Sequence, residues 1–110
     1  MNDLRRLEDI LAAIEAIETY TPVSYEAFLS GDQIQDAIMF NLVVMGEAAN
    51  RISDEFQAQH PSIPWASLIG TRNVIVHGYD QIKLPVVWGI IKKDLSSLKQ
   101  QILTVLNYLR

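Results

Sequence analysis

The 110-residue chain contains no cysteine. This excludes a disulfide framework, a thiolate metal site and a cysteine nucleophile. Histidine is nearly as scarce: His60 and His77 are the only two. Two are too few for a histidine-rich metal centre within one protomer, so no metal is assigned. Long apolar runs are missing as well. The most apolar stretch, Ala37 to Gly46, carries Asn41 and falls well short of the roughly 20 residues a membrane helix needs. The start, Met1-Asn2-Asp3-Leu4-Arg5-Arg6, alternates charge with aliphatics and lacks the continuous apolar region of a secretion signal. The expectation is a cytoplasmic chain with no membrane contact. Basic charge is not in excess: 9 Lys and Arg stand against 13 Asp and Glu, a formal net charge of −4. That disfavours a broad basic surface for duplex DNA and leaves room for a small basic pocket.

What is present is helical patterning. Leu4, Leu7, Leu11, Ile14 and Ile17 recur in steps of three and four and predict a first helix over Asp3–Tyr20, capped by Asn2 or Asp3 and ended by Thr21-Pro22. Ser24 is placed to cap a short helix from Tyr25 to Leu29. Asp32 then opens a long helix to about Gln59, with Ile34, Ile38, Leu42, Met45, Ala49, Ile52 and Phe56 inward. Its apolar patch Leu42–Met45 calls for burial on more than one side, by another helix or another protomer. His60-Pro61-Ser62-Ile63-Pro64 is a loop whose last proline suits a helix start. The β-branched Val74-Ile75-Val76 locally favours strand, yet nothing elsewhere offers a strand to pair with, so helix is predicted, stopped at Gly78. Pro85 opens the last helix, whose stripe runs Val87, Ile91, Leu95, Leu98, Ile102, Val105, Leu109. There is no internal repeat and no second domain. The expected fold class is all-α: one domain over residues 1–110, an antiparallel bundle of four main helices with a short extra one.

One segment resists dismissal as a solvated helix face. Gly70-Thr71-Arg72-Asn73-Val74-Ile75-Val76-His77-Gly78-Tyr79-Asp80 crowds Arg, Asn, His, Tyr and Asp around an apolar stretch. On an ideal helix Arg72 and Tyr79 point within about 20° of each other, Asn73 and His77 share a face, and Arg72 and His77 stand about 140° apart. The last two converge if the helix loosens near Gly78, or if two protomers supply one cleft. The chemistry suits phosphate. Arginine presents a permanently charged fork matching phosphate oxygens, and histidine exchanges protons near neutral pH. Asn73 is placed to orient the imidazole. Such a pair is what RNA cleavage by the neighbouring 2′-hydroxyl requires, without metal. Read without further context, Arg-x4-His equally fits a capped helix end with a satisfied buried histidine, and Tyr79 an ordinary half-buried tyrosine.

The tripartite pattern Arg72, His77, Tyr79 resembles the Arg-x4-His-x-Tyr signature of the higher-eukaryote and prokaryote nucleotide-binding (HEPN) domains, and more closely the HepT-like toxins. The flanks Pro64-Trp65, Gly70, Arg72-Asn73 and Val87-Trp88 are similar too, as is Gly46-Glu47-Ala48 upstream. The resemblance implies an α-helical homodimer. It also implies a metal-independent endoribonuclease, the toxin of a type VII toxin–antitoxin pair, acting on RNA without a cofactor. Its implied partner is an MntA-like nucleotidyltransferase antitoxin that transfers AMP to the motif tyrosine. Carried over, Arg72 and His77 are the catalytic pair, Tyr79 the AMPylation acceptor, Asn73 a positioning residue, and Glu47 either a cross-helix partner of Arg72 or a solvent-side charge. Lys83 departs from the acidic residue the family often has there. A rival reading is a non-catalytic nucleotide-binding module that docks a partner nucleotidyltransferase.

The remaining polar and aromatic residues read more plainly. His60 is expected exposed in its loop, and Trp65 and Trp88 as core anchors rather than base-stacking platforms. Arg5 and Arg6 read as solvated, Asp54 and Glu55 as surface charge, and Lys92-Lys93 as a helix face near enough to touch a phosphate backbone.

Overall fold

The computed structural model describes residues 2–110, all of them helix, turn or loop; no strand occurs among the described residues. Helix α1 spans Asp3–Tyr20. Its buried stripe is Leu7, Ile10, Ile14 and Ile17, while Leu4 is exposed. Thr21 turns extended ahead of Pro22. Neither Asn2 nor Asp3 caps this helix. Asp3 is instead buried at 5% exposure and accepts hydrogen bonds from Ser53 N (2.9 Å) and Ser53 Oγ (2.7 Å), fifty residues away. A burial-satisfied carboxylate outcompetes a solvent-exposed cap.

Helix α2, Tyr25–Ser30, is capped as expected by Ser24 Oγ, which accepts from Ala27 N at 3.1 Å. Helix α3 covers Asp32–Arg51 and ends eight residues before the expected Gln59. Ile52 is extended (φ −75°, ψ 138°) and buried. Ser53 then caps a separate helix α4, Asp54–Gln59, by accepting from Phe56 N at 3.1 Å. Apolar spacing runs on through the break, and the serine that breaks it looks unremarkable in sequence; its grip on Asp3 is tertiary. Helix α5 is Trp65–His77, with Pro64 at the capping position just outside. Val74-Ile75-Val76 is helical, as expected. Gly78 stops α5, its N–H donating to Val74 O at 2.8 Å, and a 3₁₀ turn follows over Tyr79–Gln81. The last helix begins at Leu84 with Pro85 in its first turn. It divides into α6 (Leu84–Gly89), a π turn (Ile90–Asp94) and α7 (Leu95–Leu109). Its predicted stripe is buried from Val87 to Val105, and Leu106 replaces the exposed Leu109 at its end.

Neighbouring long helices run antiparallel. Glu8–Arg110 (3.0 Å) and Glu18–Lys99 (2.9 Å) join opposite ends of α1 and α7, and Asp3–Ser53 ties the start of α1 to the end of α3. Packing follows the row α7, α1, α3, α5. Its apolar interior includes Leu7, Ile14, Phe28, Ile38, Met45 and Ile102. The result is the expected all-α bundle of four main helices, with two short ones rather than one. It measures 40 × 27 × 19 Å, about two helix diameters thick. The α5–α7 seam is not closed: cavities of about 470 and 530 Å³ open along it.

Candidate active site

Helices α3 and α5 meet where α3 has no side chain. A Cβ on Gly46 would stand 2.2 Å from Arg72 Cβ and 2.6 Å from Leu68 O, so only glycine lets the two backbones approach this closely. The Arg72 side chain therefore emerges flush along α3. Its Nε donates to Glu47 Oε2 at 3.1 Å and its Nη1 to Asn73 Oδ1 at 2.8 Å. Glu47 also holds Arg51, at 3.4 Å through Oε1. Of the two readings of Glu47, the structure has the cross-helix partner. The Arg72 side chain keeps 28% exposure, and its Nη2 edge makes no hydrogen bond among the described residues. A guanidinium held at Nε and Nη1, with Nη2 left to donate, is arranged to receive an oxyanion.

Asn73 serves Arg72, not His77. Both lie within reach on the helix, and the charged donor takes the amide oxygen. His77 is the last residue of α5 and exposed, and its imidazole forms no hydrogen bond among the described residues. Helix α5 stays regular through His77, and the chain departs from it only at Gly78. The loosening that would join Arg72 and His77 within one protomer is absent, so the offset of about 140° stands. Around the helix, Val76 and Asn73 fall between them, and Val76 is 47% exposed.

Tyr79 does not share a face with Arg72. Because Gly78 ends the helix, Tyr79 swings onto the 3₁₀ turn, and its hydroxyl donates to the Asp36 carboxylate near the start of α3. That hydrogen bond, then desolvation, then the charges of Asp36 and Asp32, raise its pKa above the usual value near 10. Asp36 and Glu47 lie three turns apart on one face of α3, about 16 Å. The same strip of α3 thus holds Tyr79 at one end and Arg72 at the other. Sequence reasoning missed Asp36. The spacing to Glu47 was available, but nothing local said that a turn 43 residues later would reach it.

The other residues behave as packing. Trp65 is buried with Nε1 donating to His60 O at 3.0 Å. Trp88 packs on Phe28 and Tyr25, ring centres 5.2 and 5.8 Å away. His60 is partly buried rather than exposed, its ring 4.5 Å from that of Phe56. Lys92 lies over Trp88 at 5.4 Å, and the exposed Lys83 caps α6 through its backbone carbonyl. Both seam cavities are lined by Ser67 and Thr71, and one of them by Val74, on the flank of α5 away from Arg72. No three His, Asp or Glu side chains gather as a metal site, and no helix is long and apolar enough to cross a membrane, among the described residues.

Comparison with known proteins agrees across most of the chain. The family model described as Ribonuclease HepT-like matches residues 10–105. A protein named "Probable ribonuclease HepT" from Thermococcus cleftensis is 38% identical over 94 residues, 84% of this chain and 86% of its own length. One named as a putative RNase from Methanocaldococcus jannaschii is 32% identical over 97 residues, covering 87% of this chain and 89% of the relative. No solved structure matches.

Proposed function

The chain belongs to the HepT-like ribonuclease family, and from that premise we propose a metal-independent endoribonuclease acting through the RNA 2′-hydroxyl. The observation that carries this reading is the contrast on α5 between a guanidinium anchored at Nε and Nη1 and an exposed imidazole with no hydrogen-bond partner among the described residues. His77 takes the 2′-hydroxyl proton as the oxygen attacks the adjacent phosphorus. Arg72 stabilises the charge growing on the non-bridging oxygens. The P–O5′ bond breaks, and the imidazolium returns a proton to the leaving oxygen. The products are a 2′,3′-cyclic phosphate and a 5′-hydroxyl. Glu47 and Asn73 hold the arginine in place.

The active unit is a homodimer. The Arg72–His77 offset and the exposed Val76 between them suit a two-fold seam at α5, where Arg72 of one copy meets the imidazole of the other. As a HepT-like protein the chain is the toxin of a toxin–antitoxin pair. Its antitoxin is an MntA-like nucleotidyltransferase that moves AMP from ATP onto Tyr79, a residue 52% exposed.

RNA incubated with the purified protein in EDTA tests the chemistry. Wild type is expected to cut and leave cyclic phosphate ends. His77→Ala should lose about 10²–10⁴-fold in rate and Arg72→Ala about 10²–10³-fold. Equal cleavage by wild type and His77→Ala, or activity that disappears with the chelator, refutes the scheme.

A further inference from the structure

No hydrogen bond or ion pair reaches the His77 imidazole among the described residues. Its position is therefore inherited from its backbone, and on its C-terminal side that backbone passes straight into a single 3₁₀ turn. Gly78 N–H closes α5 on Val74 O at 2.8 Å, and Gln81 N–H closes the 3₁₀ turn on Gly78 O at 2.8 Å. Between those two closures the side chain that reaches another element is Tyr79, bound to Asp36 on α3. Helix α3 is the most deeply packed helix of the bundle, lying between α1 and α5, so the turn is referenced to a rigid element.

We propose that the Tyr79–Asp36 hydrogen bond is a latch that sets the position of His77, making Asp36 a positioning residue for RNA cleavage and opening of the latch the means of inactivation. The inference rests on the reading of His77 as the proton-transfer group and of Tyr79 as the modified residue. Transfer of a nucleotidyl group from a nucleoside triphosphate replaces Tyr79 Oη–H by Oη–P. Pyrophosphate leaves and the phenolic proton passes to solvent. The hydroxyl then has no proton to donate. The new phosphodiester brings a negative charge against the carboxylates of Asp36 and Asp32, where like charges repel. The turn must leave α3, and His77 moves with it. On this account modification disarms the enzyme by displacing its base.

The experiment needs no partner protein. Steady-state cleavage of one RNA is measured for wild type, Asp36→Ala, Tyr79→Phe, the double variant and Asp36→Asn, each with its melting temperature. The two single variants should each lower kcat by about 10–100-fold, the cost of a catalytic group out of place by about 1 Å. KM should stay put and the melting temperature should move only slightly, since both side chains are exposed. The double variant should be no worse than either single, because one shared bond is being removed twice. Asp36→Asn, whose amide oxygen accepts the same O–H, should recover most of the activity. Single variants with wild-type kcat, losses that multiply in the double variant, or no rescue by asparagine overturn the latch. His77→Ala separates the levels. If it still cleaves, the nuclease reading has failed; if it is dead while Asp36→Ala is fully active, only the latch has.

Discussion

Gly46 lacks a side chain where a methyl group would overlap Arg72 Cβ and a backbone carbonyl of α5. Backbone cannot rotate aside as a flexible side chain can, so Gly46→Ala must push α3 and α5 apart. The expected cost is about 1–3 kcal/mol of stability, read as a lower urea midpoint. Activity should fall further than stability, because the same shift carries the guanidinium away from Glu47. Tyr79 offers a second test at this scale. A carboxylate that accepts from the phenol favours its neutral form and holds its pKa above 10. A group raised on folding lends stability in full below its unfolded value and loses it as pH climbs through the folded one. That window therefore begins near pH 10 and extends upward. An ultraviolet difference titration of wild type against Tyr79→Phe should show one tyrosine ionising late, and Asp36→Ala should return it toward its ordinary value.

At the scale of elements, the junction at Ile52-Ser53 decides the geometry. Had α3 run on to Gln59 it would have carried Phe56 away from the loop that supports Trp65. Instead Ser53 caps α4 with one lone pair while its hydroxyl and backbone N–H go to Asp3. Ser53→Ala removes the cap, worth about 1 kcal/mol, and takes one hydrogen bond from a buried carboxylate, worth roughly 1–3 kcal/mol. A net loss of about 2–4 kcal/mol in chemical denaturation is expected, with RNA cleavage by the surviving folded fraction unchanged. The boundary between α5 and the 3₁₀ turn works the other way: Gly78 was legible as a stop. Its consequence, that Tyr79 leaves the face of Arg72 and joins α3, depended on what lay across from the turn.

For the whole molecule, the open α5–α7 seam and the exposed Val74 and Val76 leave one helix of the bundle incompletely covered. A dimer formed along α5 predicts that Val76→Asp, which would set like charges facing each other across a two-fold axis, yields a monomer by light scattering. That monomer should keep its helical circular dichroism and lose cleavage. A wild-type protein that is itself monomeric at micromolar concentration would speak against the composite site, and mixing Arg72→Ala with His77→Ala subunits should restore part of the activity if each site is shared.

Periodicity determined the all-α class, most helix positions and the polar cluster from Arg72 to Tyr79, because these are written in local spacing. Pattern also marked Gly78 and Ser24 as punctuation, since capping is a property of neighbouring residues. Tertiary structure alone decided that α3 ends at Arg51, that Glu47 reaches Arg72 on α5 and that Asp36 holds Tyr79. Each of those depends on a partner far along the chain. A hydrogen bond between residues tens of positions apart leaves no trace in the spacing of either, and exists only once burial has brought their helices side by side.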